Sequence, residues 1–519
     1  MNTSIIFAGI RRLATADSSS HAEQYEQAIR FLYQRINYEK TSEIPYRSEE
    51  FKLGRMRELV RRLGDPQNDI PLVHIAGTKG KGSTAELLSQ IGQAAGYRIG
   101  KFTSPHLERL EERFSINGEL CPEQQTVELI DLIRPIVHAM DQECVSGDKL
   151  TFFEITTAMA FLYFARQQVD LGIVEVGLGG RLDSTNVCQP RLAIITSISR
   201  DHVKTLGGEL EQIAAEKGGI IKPGIPVVSG VQDPKARQVI GEIAANQNAK
   251  LWQLDRDFSV HPAAFPNQST DALHSLDGQS IPFRQTFAFR TGGSQAVPEL
   301  GPIELIMKGS HQVRNASLAI MAAMLLRDEG FTLPDEAIRT GITATNLAAR
   351  IECIANRPTI IVDVAHNDAS AKALAEVVTR HFPTGKRLMV YASSSDKQHE
   401  EILAPLLPVF DQVWLTRFQD NPRSQSPAEL HELATQLIAA DNQPRCRLMP
   451  VSEIAELAFT EALAAVGPDD LLVVTGSFFI AAQFQKFWQS KIAATGLGTV
   501  IHLESNETTP SQGDGQTPP

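Results

Sequence analysis

Paired cysteines are missing from this sequence. Its five, Cys121, Cys144, Cys188, Cys353 and Cys446, are scattered, odd in number and never spaced CxxC, which excludes a disulfide framework or a zinc knuckle and points to a reducing cytosol. Long apolar runs are missing too. No stretch of about 18 residues could span a bilayer, so neither a membrane protein nor a membrane partner is expected. Positive charge is in deficit, with 49 Lys and Arg against 61 Asp and Glu and a formal net charge of −12. That sign is wrong for a chain held by phosphate-backbone attraction, so nucleic acid is not the expected partner and any bound phosphate needs a local site. What is present, 42% hydrophobic and 21% charged residues, is a globular composition, and 519 residues exceed one ordinary domain of about 150. The first twenty residues carry Arg11 and Arg12 and no acid before Asp17, faintly like an organelle transit peptide. The apolar patch there is short and its charge follows it, so a flexible N-terminus is expected over 1–20.

From 25 to 63 the pattern is helical, and the turn Gly64-Asp65-Pro66 then leads into an apolar run at 72–76 that reads as a buried strand. Similar β-branched runs at 171–176, 192–195 and 225–228 alternate with helical stretches at 154–165 and 211–221. Such alternation predicts an α/β domain with a parallel sheet covered on both faces. Residues 255–301, rich in Pro, Gly, Ser and Gln, predict loops or short irregular strands decorating that domain. After a helix near 312–327, a second series of strands at 360–364, 387–391, 412–415 and 471–475 predicts a smaller α/β unit with its hinge near 349–357. The expected division is a nucleotide-binding domain over 21–349, a smaller unit over 350–490, and a largely disordered tail over 491–519, ending in Pro, Gly, Gln and Thr.

The strongest local signal is Gly77-Thr78-Lys79-Gly80-Lys81-Gly82-Ser83-Thr84, between an expected strand and an expected helix. Glycines there let backbone N–H groups curl around phosphate oxygens, and the helix N-terminus adds partial positive charge. Lys81 can reach the terminal phosphates, and the Ser83 hydroxyl can ligate Mg²⁺. The bland alternative, a glycine-rich turn with a solvated lysine, would carry each glycine's entropy cost of about 1 kcal/mol without return. Gly177, Gly179 and Gly180 do not make a dinucleotide fingerprint, because Leu182 occupies the third glycine position. Glu175, at the end of an expected strand, can reach a Mg²⁺ held on a nucleotide. On chemistry alone His202 reads as a packed histidine, Lys217 as a solvated helix position, Arg350 as a surface charge and Asp363 as a strand-end cap.

Only two residues separate Gly77 from Gly80-Lys81, so the loop is shorter than the usual P-loop. This GTxGKGS form resembles the Mur ligases. The segments that follow in order are similar to the folate branch of that superfamily, the folylpolyglutamate and dihydrofolate synthases: Thr103-Ser104-Pro105-His106-Leu107, Phe153-Glu154, Glu175-Val176-Gly177-Leu178-Gly179-Gly180-Arg181-Leu182-Asp183, Asp201-His202, Glu216-Lys217-Gly218-Gly219, His311-Gln312-Val313-Arg314-Asn315-Ala316, Arg350-Ile351-Glu352 and Asp363-Val364-Ala365-His366-Asn367. The chain departs from the pattern at Lys79, usually Asn, at Val364 and Ala349, usually Gly, and at Asp368, often Pro.

The resemblance implies a P-loop ATPase domain plus a Rossmann-like C-terminal glutamate ligase domain. Its implied activity is ATP-dependent addition of L-glutamate to dihydropteroate or a folate through an acyl phosphate, by a monomer. It implies ATP contacts from the phosphate loop, Asn315, Arg350 and Asp363, and ligation of two magnesium ions by Ser83, Ser104, Glu175 and His202. Lys217 matches a lysine that is carbamylated in the related synthases, which would turn a cation into an oxygen ligand. The implied acid pocket is Phe51, Lys52, Leu53 and Gly54, Thr151, Phe152, Phe153 and Glu154, and Leu182, Asp183 and Ser184. His366 and Ser477 are the glutamate-side groups, with Lys81, Lys217 and His366 in catalytic roles. A buried histidine or a helix N-cap serine would look the same at the last two positions. Two rivals are a cell-wall Mur ligase, which usually carries a nucleotide-sugar domain ahead of the loop, and a non-catalytic P-loop switch.

Overall fold

The computed structural model describes residues 21–38, 53–106, 109–143, 149–200, 203–262, 285–292, 300–382, 384–419, 421–440 and 445–495. Phe51, Lys52, His202 and Cys144, the expected flexible segment 1–20 and the tail from 496 lie outside them. Among the described residues no helix is long and apolar enough to cross a membrane, and Cys121, Cys188, Cys353 and Cys446 are free thiols.

The larger sheet has eight strands: β1 (Leu72–Ala76), β2 (Ile99–Phe102), β3 (Phe114–Ile116), β4 (Glu119–Leu120), β5 (Leu171–Glu175), β6 (Leu192–Ile195), β7 (Val227–Ser229) and β8 (Leu251–Gln253), in the order β4-β3-β2-β5-β1-β6-β7-β8. From β2 to β8 every pairing is parallel, and β3 and β4 add an antiparallel edge. Every residue of β1 and β5 is buried, as the near-continuous apolar runs require when helices cover both faces. The register sets Ile75 beside Glu175, so the loop after β1 and the carboxylate ending β5 emerge together at the carboxyl edge, where open parallel sheets bind ligands.

The helical pattern expected over 25–63 is interrupted. One helix runs 21–33, residues 34–38 leave it, and a second spans Gly54–Arg62. The segment 255–301 is more ordered than its composition suggests. Strands β9 (Phe258–Pro262), β10 (Gln285–Thr291) and β11 (Leu300–Leu305) form an antiparallel sheet. Phe258, Phe287, Phe289, Leu300 and Ile303 on these strands pack into the same core as the helix that follows the phosphate loop. Those apolar positions are built into the domain, where decoration had been expected.

The second sheet holds β12 (Glu352–Asn356), β13 (Thr359–Val362), β14 (Arg387–Tyr391), β15 (Gln412–Leu415), β16 (Arg447–Leu448) and β17 (Leu471–Thr475), ordered β12-β13-β17-β14-β15-β16. All pairings are parallel except β12 with β13. The last helix, Phe478–Thr495, continues past the 490 boundary expected for the tail. Between the sheets, Ala349 and Ile351 adopt left-handed φ of 55° and 53°, an uncommon conformation for residues bearing a Cβ.

Candidate active site

The phosphate loop is shaped by two glycines that nothing else could replace. Gly77 has φ 153°, and a Cβ there would stand 1.8 Å from Thr196 Oγ1. Gly80 has φ 86°, and its Cβ would stand 2.3 Å from Asn315 Oδ1. Residues after β6 pin the loop: Thr196 Oγ1 and Ser197 Oγ donate to the Lys79 carbonyl at 2.6 and 3.0 Å, and Thr78 N donates to Ser197 O at 2.8 Å. The helix Lys81–Ala94 starts at Gly80 with no side-chain cap, which leaves its first N–H groups for an anion.

Behind the loop, Lys217 Nζ donates to Gly77 O at 3.1 Å in a buried position. Lys81 Nζ lies 3.6 Å from Glu175 Oε1. Burial pushes the Glu175 carboxyl above its usual range, opposed by the charges of Lys81 and Arg350 and by a hydrogen bond from the Ser104 backbone. A buried carboxylate so incompletely neutralised, with the Ser83 and Ser104 hydroxyls on neighbouring segments, is an oxygen donor set that fits Mg²⁺. Among the described residues, no three His, Cys, Asp or Glu side chains gather as a metal site by themselves.

A cavity of about 1270 Å³ is lined from both units. Thr78, Lys79, Gly80, Lys81, Gly82, Ser104 and Glu175 form its phosphate side, and Leu53, Thr151, Phe153, Glu154, Leu182, Asp183 and Ser184 another wall. Arg350, His366 and Ser477 line it from the second unit. Arg350 lies 5.1 Å over the Phe478 ring, and burial draws its guanidinium below its usual value against the charges of Asp363 and Glu175. His366 Nε2 is 3.0 Å from Lys79 Nζ. Ser477 Oγ accepts from Ile480 N at 3.2 Å, so it caps the last helix while still facing the cavity.

Other candidate residues are placed differently. Phe152 is fully buried in the core, stacked on Tyr33 at 5.6 Å, and Gly54 opens a helix outside the cavity wall. Gly77, Ser83, Asn315 and Lys217 do not line the cavity: Lys217 donates to the Gly77 carbonyl, Asn315 lies against Gly80, and Ser83 is buried in the first turn of the helix after the loop. Asp363 accepts from Ile351 N at 3.0 Å and Ala365 N at 2.7 Å, which ties it to the hinge. Asp363 is buried just past the end of β13, in keeping with a strand-end cap, whereas Arg350 lines the cavity beside Phe478, which corrects the surface charge that its residue type alone suggests.

Sequence reasoning missed Arg55 and Arg113, both buried cavity residues. Arg55 pairs with Glu154 at 3.2 Å, and Arg113 donates to His106 Nδ1 at 2.7 Å. Arg113 closes the run Glu111-Glu112-Arg113, which looks solvated in sequence. It missed Lys397 and Arg423 too, which line the cavity from the second unit and both pair with Asp396.

The family model for the Mur ligase middle domain matches residues 75–323, and that for the Mur ligase, glutamate ligase domain matches 349–478. The dihydrofolate synthase/folylpolyglutamate synthase of Bacillus subtilis is 34% identical over 444 residues, covering 84% of this chain and 94% of that one. The folylpolyglutamate synthase of Lacticaseibacillus casei is 32% identical over 436 residues, covering 82% and 92%. Among solved structures, the Thermotoga maritima folylpolyglutamate synthase aligns with a TM-score of 0.73 at 30% identity over 91% of this chain and 98% of that one. The Mycobacterium tuberculosis folylpolyglutamate synthase complexed with ADP and AMPPCP aligns with 0.76 at 31% identity over 90% and 99%. These likenesses run through the phosphate loop, the cavity and the second unit alike, and the chain belongs to the folylpolyglutamate synthase/dihydrofolate synthase family of Mur ligases.

Proposed function

We propose that this protein uses ATP to join L-glutamate to a pterin-bearing carboxylic acid, dihydropteroate, a folate or both, releasing ADP and phosphate. The observation that carries the reading is one cavity shared by the phosphate loop, the wall of Thr151, Phe153, Glu154 and 182–184, and His366 and Ser477 of the opposite unit. Phosphate, acid and amine can meet there.

A carboxylate resists attack by an amine. Its oxygen takes the γ-phosphoryl group from ATP, the bond between that phosphorus and the β,γ-bridging oxygen breaks, and ADP leaves. The amine of glutamate then attacks the carbonyl carbon of the acyl phosphate, phosphate departs with the C–O electron pair, and the nitrogen loses a proton. The loop N–H groups and Lys81 hold the charge that develops on the phosphoryl oxygens. Glu175, Ser83 and Ser104 would hold a magnesium ion, which would supply further positive charge to the phosphates. Arg350 and Asp363 bind nucleotide from the hinge, and His366 and Ser477 orient the amine. Enclosure between the two units, divided at 349/350, keeps water from the acyl phosphate.

The test is phosphate release by purified protein offered ATP with dihydropteroate, tetrahydrofolate or a muramoyl acid, each with and without L-glutamate. Release that requires both a pterin acid and glutamate supports the proposal. Release with the muramoyl acid alone, or nucleotide binding without turnover, overturns it.

A further inference from the structure

His74 is the middle residue of β1, fully buried in the larger sheet, and phosphate handling makes no use of it. Burial, helped by the charge of Lys222, pushes its imidazole down to about 3, so it is neutral near pH 7. Its Nε2 lies 2.8 Å from Thr185 Oγ1, while Nδ1 has no partner among the described residues. Thr185 in turn gives two hydrogen bonds to Asp183 Oδ1, from its hydroxyl at 2.5 Å and its backbone N–H at 3.0 Å. A hydroxyl owns one proton. Having donated it to the carboxylate, Thr185 can only accept from His74, which fixes the imidazole as the Nε2–H tautomer and leaves Nδ1 bare. An unpaired acceptor inside an apolar strand costs stability that a packed aliphatic side chain would not.

The far end of this chain reaches the cavity. Asp183 lines it, with Oδ1 filled by the two Thr185 donors and Oδ2 accepting Leu178 N at 2.8 Å. A carboxylate oxygen takes two donors, so one acceptor position remains, on Oδ2.

We infer that His74 and Thr185 are positioning residues for the acid substrate: together they saturate one oxygen of Asp183 and reserve the other for an N–H donor on the heteroaromatic ring of the acyl donor. The inference rests on the proposed function, which supplies an acid with such a ring. No proton moves along the chain; it sets orientation. Without the Thr185 hydroxyl, Oδ1 becomes a competing acceptor and the carboxylate loses the bond that fixes its plane.

The experiment is steady-state kinetics of Thr185→Val, Thr185→Ser and His74→Phe with ATP, L-glutamate and dihydropteroate, beside ¹⁵N NMR of the His74 ring. Thr185→Val is expected to raise KM for the acid by about tenfold, the effect of one buried hydrogen bond to a charged group, with KM for ATP unchanged. Thr185→Ser should restore the wild-type value, and His74→Phe should fall between. NMR should show the Nε2–H tautomer without titration from about pH 5 to 9. Equal changes in both KM values, no rescue by serine, or an Nδ1–H tautomer would overturn the inference. Should His74→Phe fail to fold, the two Thr185 variants and the NMR decide. A wild-type protein that turns over no pterin acid defeats the proposed function instead, and the tautomer still reports on the chain.

Discussion

Lys79 of the phosphate loop and His366 of the second unit are joined across the cleft, Nζ to Nε2, at 3.0 Å. The other ring nitrogen, Nδ1, is 2.7 Å from the Val364 carbonyl, which only accepts, so Nδ1 carries the proton and Nε2 offers its lone pair to the ammonium. Lys79 thereby gives the loop a cation long enough to reach the opposite unit. Lys79→Asn should remove this link while leaving the loop's glycines and backbone bonds in place. A partly exposed charged hydrogen bond is worth about 1 kcal/mol, so kcat/KM for ATP should fall roughly fivefold. Small-angle scattering of the nucleotide-free variant should show a larger radius of gyration. Unchanged kinetics and an unchanged radius would mean that the contact holds nothing together.

Glu175 and Lys81 give opposite signatures. Glu175 sits at an energetic disadvantage without ligand, because burial opposes its charge more than Lys81 at 3.6 Å relieves it. Glu175→Gln should therefore leave the ligand-free melting temperature unchanged or raise it, while abolishing the extra stabilisation that Mg²⁺ adds to bound nucleotide. Lys81→Ala should lower turnover on the order of a thousandfold, as expected for loss of a group that stabilises transition-state charge, with the circular dichroism spectrum preserved. Thermal melts with nucleotide, with and without chelator, check the first variant. A Lys81→Ala protein that adds glutamate at near-normal rate would contradict the second role.

Much of this architecture is legible along the chain because parallel strands buried on both faces must be apolar throughout. Strands β1, β6, β14, β15 and β17 fall where such runs stand. Strand β2, broken by Gly100 and Lys101, and the two-residue β16 exist through pairing with neighbours, and no local pattern marks them. Phe287 and Phe289 are isolated in a stretch dominated by turn-forming residues, so their place in the core depends on β9 and β11 beside them. In the site, the loop's glycines announce themselves, since φ of 153° and 86° demands them. Arg350, Arg55 and Arg113 do not, because a guanidinium looks alike in sequence whether it meets water or a cavity wall.

Acid should destabilise the fold through His74. Held near 3 in the native state against 6.5 ordinarily, it stays neutral while the unfolded chain takes up a proton. The associated stability is fully present above about pH 6.5 and is lost as pH falls toward 3, on the order of 2–3 kcal/mol by pH 4.5. His311, pushed down to about 4 by burial and by Arg350, acts in the same direction. His74→Gln keeps a donor for Thr185 but cannot titrate, so its melting temperature should decline less steeply between about pH 6 and 4 than that of the wild type. Scanning calorimetry at constant ionic strength measures both slopes, and parallel curves would show that the imidazole is not sealed from water.

Lys217 decides whether the site uses a modified side chain. Its amine nitrogen donates to the Gly77 carbonyl from a buried position directly behind the phosphate loop. A carbamate formed there by CO₂ would retain one N–H for that bond and add two oxygens of negative charge, which suits a magnesium site better than an ammonium does. Lys217→Ala should then lose activity on the order of a hundredfold, and formate or acetate should restore part of it by occupying the vacated space as a substitute carboxylate. Native mass spectrometry of the wild type should show the mass of one added CO₂, lost on acidification. A plain structural lysine predicts neither the added mass nor the rescue, and the same variant would then be repaired by nothing smaller than a restored amine.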